Sequence, residues 1–343
     1  MSVTAMLART TNKALGRFDL ALVRASRLGY QYDLAADTED TFQRPTIVAA
    51  ASPTHGDPRL TELRAAYCAL HNHPARAMSL WTEDFAARID LTRFREHNAY
   101  LWQQSRTPAQ RLCWLLVGYY VHSADTLCLL DRLTEDGLFG AETFRFMNRY
   151  IGSKDLLDSI NEINFLHRAL GISTSRSLRV LDIGAGYGRL CHRLTEAFPG
   201  RVSGFMVDAI AESTFLSEWY SRFRGFADQV RTVPLHEVDT VLKGASVDLV
   251  TNIHSFSECR FDAIRWWLDK VDDIGARNLF VVPNAYHNGG RELLSREPDG
   301  RYLDFRVEID RRGFNLKACE PKYRDESFSQ FGINTYYYLF ARS

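Results

Sequence analysis

Residues 180–190 read VLDIGAGYGRL, in which Gly184, Gly186 and Gly188 alternate with other residues behind an apolar run and Asp182. Gly184 and Gly186 can take backbone angles closed to other residues and let a ligand touch the main chain. Gly188 lets a helix approach its strand. A ligand in such a turn faces a helix N-terminus at the carboxyl edge of a sheet. Dinucleotides favour G-x-G-x-x-G, whereas here the spacing is G-x-G-x-G and Arg189 stands where the third glycine would be. Asp182 would repel a pyrophosphate but favours the cationic amino-acid end of S-adenosylmethionine (SAM). Asp208 closes the next apolar run, VSGFMVD, 20 residues after Gly188 (208 − 188). An acid at about that interval accepts hydrogen bonds from a ribose diol, to which a carboxylate offers two oxygens. The plainer alternative is a ligand-free α/β turn in which Asp208 caps a helix.

The elements that must hold these residues follow from two periods. From about Leu60 to Leu170 the apolar spacing is helical, as in LTRFREHNAYLWQQ and TPAQRLCWLLVGYYVHSADTLCLLDRL. Thr107-Pro108 resembles an N-cap followed by proline at the first helical position. SKDLLDSINEINFLHRALGI predicts a helix capped by Ser153 and ended by Gly171, with Leu156, Leu157, Ile160, Ile163 and Leu166 on one stripe. Residues 32–60 read as a long, partly extended connection. After Arg176, short apolar strands alternate with helices, which predicts a mostly parallel sheet covered on both faces. GFNLKACE and NTYYYLFARS predict a closing antiparallel hairpin. Two parts are expected: a mainly helical region over 1–150, covering the acceptor or making an oligomer, and an α/β domain over 151–343.

VLDIGAGYGRL resembles motif I of class I SAM-dependent methyltransferases. Together with SINEINFL, VDAIAESTFLSEWYSRF and DLVTNIHSFSEC, it resembles most a family of sugar O-methyltransferases over residues 135–343. The resemblance implies a Rossmann-like sheet, SAM as cofactor, and methyl transfer to a hydroxyl of a saccharide or glycosylated metabolite. A methyltransferase for a non-sugar small molecule, or a SAM-binding protein without catalysis, are the alternatives. It also implies adenine contacts at Leu235 and His236, after the third strand of the sheet.

His254 ends the fourth strand, VDLVTNI, where strand ends face the ligand, and its residue type suits a general base. If SFSEC opens a helix, Glu258 can approach and orient the imidazole. Alternatively His254 contacts substrate or caps the helix. Asn252 is a candidate for the methionine end of SAM, and Tyr187 and Arg189 for its carboxylate. Asn284, Tyr286 and His287 follow the fifth strand and suit sugar hydroxyls. Arg291, Arg296 and Arg301 lie in an insert that could meet an anionic or nucleotide-linked sugar. Tyr119, Tyr120, Trp102 and Trp266 could stack on sugar faces, or be core.

Lys plus Arg and Asp plus Glu each total 42, so the overall charge gives no reason to expect a nucleic-acid partner. Six cysteines without a C-x-x-C pair read as reduced core thiols in a cytoplasmic protein. No metal is expected: NIHSF carries no aspartate pair, and His71 and His73 form an isolated H-x-H. No apolar run is long enough to span a bilayer. The amphipathic N-terminus lacks the form of a secretory signal.

Overall fold

The computed structural model describes residues 11, 42–43, 52–96, 100, 108–285, 289–324, 328 and 334–342. Phe42–Gln43 (β1), Thr143–Phe146 (β2) and Tyr150–Ser153 (β3) form a small antiparallel sheet. The helical expectation missed this sheet. Its β2–β3 turn places Met147 and Asn148 at φ 52° each, without the glycine that would mark such a hairpin in sequence. The stretch from Leu91 is likewise not a continuous helix. Leu91–Arg93 is one 3-10 turn, started by the Asp90 carboxylate accepting from Thr92 N–H. Pro108 opens the helix Pro108–Ala124 as expected, while Thr107 and Trp102 lie outside the described residues.

The main sheet is the expected α/β, Rossmann-like sheet. Leu178–Ile183 (β4), Val202–Val207 (β5), Val230–Val233 (β6), Leu249–Ile253 (β7) and Asn278–Val282 (β8) are parallel. Leu294–Arg296 (β9) and Tyr302–Asp304 (β10) make a separate ribbon within the insert after β8. Asn315–Pro321 (β11) and Tyr336–Ala341 (β12) close the sheet as the antiparallel hairpin. The order is β11-β12-β8-β7-β4-β5-β6, so the motif strand β4 is interior. Beside it, Gly204 sits at φ +137°, and a Cβ there would lie 1.9 Å from the Val180 carbonyl oxygen. Only glycine lets these two strands approach at that point.

Helix Lys154–Leu170 leads into β4. Ser153 Oγ accepts from Leu156 N–H at 3.1 Å, and Gly171 ends the helix at φ 68°. Its leucine and isoleucine stripe is buried, but so is its polar face. Asp155 receives the guanidinium groups of Arg95 and Arg193, which also share Glu135. Burial alone would raise both acids, but Arg95 and then Arg193 hold them below the usual carboxylate range. Arg95 precedes this helix and Arg193 follows the motif turn, so the network fastens the first part of the chain to the motif helix Arg189–Ala197. Leu60, Leu63 and Tyr67 join the same continuous core as β4 and β8. No described helix is long and apolar enough to cross a membrane.

Candidate functional site

The carboxyl ends of β4, β5, β7 and β8 open on a cavity of about 660 Å³. The motif turn forms one wall. Gly184 and Gly186 take φ +72° and +60°. A Cβ on Gly184 would stand 2.1 Å from Ser255 Oγ, and one on Gly186 would stand 2.9 Å from the Tyr100 ring. The missing side chains therefore make room for Ser255 and Tyr100, which themselves line the cavity. Gly188 faces Met206 of β5, the close helix–strand approach that the sequence suggested.

Asp208 sits where β5 ends. Its Oδ2 accepts from Gly186 N–H at 3.0 Å and its Oδ1 from Ile210 N–H at 2.9 Å. Two backbone donors thus fix the carboxylate plane at the cavity wall. Burial nevertheless pushes its pKa up to about 7, because those two bonds offset only part of the lost hydration. Asp182 lines the same wall and accepts from Thr251 Oγ1 at 2.6 Å. Burial raises it to about 6. Acids held in this state favour a cationic ligand, whose charge would restore their ionised form.

Other expected contacts differ. Tyr187 lines the cavity, but its hydroxyl is spent on Asp155, deep in the arginine network. Arg189 is neither solvated nor free for a ligand carboxylate: it makes a bidentate pair with Glu162 at 2.8 and 3.1 Å. Asn252 is fully buried and does not line the cavity. Its amide donates to Ile183 O and Ser255 Oγ and accepts from Phe256 N–H, so it serves the loop backbone. Leu235 and His236 do not line the cavity either. Tyr67, from the helix Pro58–Ala69, covers that strand end: its hydroxyl accepts from Leu235 N–H at 2.9 Å and lies 3.1 Å from Asp208 O. His236 packs edge-on against the Tyr67 ring. The sequence showed no link between residue 67 and this edge.

The expected His254–Glu258 pair does not form. SFSE is a single 3-10 turn rather than an α-helix, and His254 enters it at φ +69°. Glu258 instead accepts from Trp81 Nε1 at 2.7 Å and from Asn284 Nδ2 at 3.0 Å. Burial raises Glu258 to about 7 against these two donors. His254 Nδ1 is buried without a hydrogen-bond partner among the described residues. Burial, and then the nearby Lys322 ammonium, lower its pKa to about 3. A neutral imidazole so placed can exchange hydrogen bonds but resists taking a proton.

Asn284 therefore lines the cavity as expected, with its amide oriented by Glu258, whereas Tyr286 and His287 lie outside the described residues. Beside Tyr187, the aromatic wall comes from Trp81, Tyr100, Trp114 and Trp267, whereas Tyr119, Tyr120 and Trp266, expected to stack on sugar faces, do not line the cavity. Tyr119 is core, Trp266 packs on His73 and Trp267, and Tyr120 accepts from Arg324 N–H. Arg291, Arg296 and Arg301 do not line the cavity, and Arg301 pairs with Asp299. His73 Nδ1 caps a short turn by accepting from Ala75 N–H. No group of three or more potential metal ligands occurs among the described residues. Cys113, Cys191 and Cys259 are buried as expected, but Cys68, Cys128 and Cys319 are exposed.

No protein-family model matches the chain, and no curated protein matches its sequence. Among solved structures it is similar to the 4+2 cyclase SpnF, with TM-score 0.41 and 13% identity over 65% of this chain and 92% of that one. It is also similar to magnesium protoporphyrin IX methyltransferase from Synechocystis PCC 6803 with bound SAM, with TM-score 0.38 and 14% identity over 55% and 83%. A SAM-dependent methyltransferase from Aquifex aeolicus gives TM-score 0.37 and 13% identity over 51% and 87%.

Proposed function

We propose that the chain is a SAM-dependent O-methyltransferase acting on a hydroxyl of a saccharide or glycosylated metabolite. One observation carries the cofactor reading. The Asp208 carboxylate, held by Gly186 and Ile210, faces a cavity whose adjoining wall is the glycine turn and Asp182. Each Asp208 oxygen keeps a lone pair for one hydroxyl of a ribose diol. SAM supplies an activated methyl group, so the protein's task is alignment and exclusion of water.

Glu258 is the proton acceptor in this reading. Trp81 and Asn284 fix its orientation, and a pKa near 7 suits a general base at neutral pH. His254 stays neutral and exchanges hydrogen bonds with the acceptor. Trp81, Tyr100 and Trp114 give flat apolar surfaces beside polar groups, the combination that a sugar ring with its hydroxyls fits. Incubating the chain with SAM and a panel of saccharides, glycosylated metabolites and non-sugar alcohols tests the proposal. Release of S-adenosylhomocysteine (SAH) with a sugar-bearing acceptor is expected. Turnover confined to the non-sugar alcohols, or SAH binding without turnover of any acceptor, would overturn it.

A further inference from the structure

Two lysines in the cavity wall share one carboxylate. Lys322 Nζ lies 2.8 Å from Asp158 Oδ2, and Lys154 Nζ bonds the same oxygen. Tyr323 OH donates to Oδ1 at 3.1 Å. The three charged side chains are only 9%, 2% and 1% exposed for Lys154, Lys322 and Asp158. The neighbouring Arg189 is neutralised by Glu162, so it neither adds to nor cancels this imbalance. Two lysines against one carboxylate would leave one positive charge uncompensated in a nearly dry wall. Such a charge is costly unless something pairs with it. Burial, then the Lys322 ammonium, push Lys154 down to about 7 although Asp158 pulls it up, so a bound anion is what would hold both lysines charged. Both lysines line the cavity, and so does His254, whose Nδ1 lacks a partner among the described residues.

Position says which ligand would supply the missing charge. Lys322 follows β11, Thr335 precedes β12, and Asn284 follows β8. These strands lie on the opposite side of β4 from β5 and Asp208. The ribose side of the cavity is therefore separate from the lysine side. The geometry points to an acceptor that carries an oxyanion, a carboxylate or a phosphate, seated between Lys154 and Lys322. This rests on the methyltransferase reading and narrows it: the acceptor is an acidic or phosphorylated sugar rather than a neutral one. The oxyanion is a handle that turns a separate hydroxyl toward the methyl donor, and it takes no part in bond making.

Calorimetric titration of the full chain with glucose, glucuronate and glucose 6-phosphate, with and without saturating SAH, tests the assignment. At least one acidic probe is expected to bind about tenfold or more tighter than glucose. Which one does so separates carboxylate from phosphate. Lys322→Met should erase the preference, Lys322→Arg should retain most of it, and both should bind SAH within about threefold of the parent chain. Three outcomes overturn the assignment: glucose binds as well as the acids, no probe binds, or the preference survives in Lys322→Met. A loss of SAH affinity in Lys322→Met with the acid preference intact also overturns it, because the lysines would then serve the cofactor's own carboxylate. Failure of the parent chain to bind SAH removes the methyltransferase reading instead, while the titrations without SAH still report the acid preference.

Discussion

Replacing Asp208 with asparagine changes one atom and the sense of one hydrogen bond. In the parent chain Oδ2 accepts from Gly186 N–H and Oδ1 from Ile210 N–H. Asparagine brings one acceptor oxygen and an NH2 group, which must oppose one of those two backbone donors. A ribose diol also loses one charged acceptor. Hydrogen bonds to charged groups contribute about 1.5–3 kcal/mol, so SAH affinity should fall about 10- to 150-fold. The pH dependence gives an independent reading. Burial raises the Asp208 carboxyl to about 7, and the diol binds its ionised form best. Affinity should then rise with pH, and Asp208 alone should contribute about tenfold between about pH 6 and pH 8. That contribution disappears in Asp208→Asn. Calorimetry across this range reads both effects. Binding by Asp208→Asn within about twofold of the parent, or with an unchanged pH slope, would refute the reasoning.

Glu258→Gln should lower kcat by about 100-fold or more while leaving SAH affinity within about threefold, because the amide keeps the shape but cannot accept the proton. In the parent chain kcat/KM should rise with pH through about 7, where the buried Glu258 ionises, and steady-state rates across pH would show this limb. Tyr67→Phe leaves Leu235 N–H without its acceptor and should cost about 1–3 kcal/mol of stability, read by denaturant titration. Gly204→Ala puts a methyl group 1.9 Å from the Val180 carbonyl oxygen at φ +137°, and should yield no folded protein by circular dichroism.

The parts of the fold written in local period were legible. The β4 strand, its glycine turn and the alternation through β8 follow from apolar runs and turn residues, and Ser153 and Gly171 cap their helix as read. The β2–β3 hairpin was not legible because Met147 and Asn148 adopt positive φ without glycine. In the site, the acids beside the motif turn were recognisable by spacing alone. The partners of Glu258 and Asp158 were not, since Trp81 stands 177 residues from Glu258 and Lys322, which follows β11, pairs with Asp158 on the helix before β4. Long-range pairs of this kind leave no trace in spacing. Tyr67 shows the same limit: nothing around residue 67 announces that its hydroxyl closes the end of β6.

The seat of the cofactor on Asp208 is tested most directly by a crystal structure of the full chain grown with SAH. The prediction is density along residues 184–188 with both ribose hydroxyls within hydrogen-bond distance of the Asp208 carboxylate. An empty cleft at saturating SAH, or a ribose held by other residues, would contradict it.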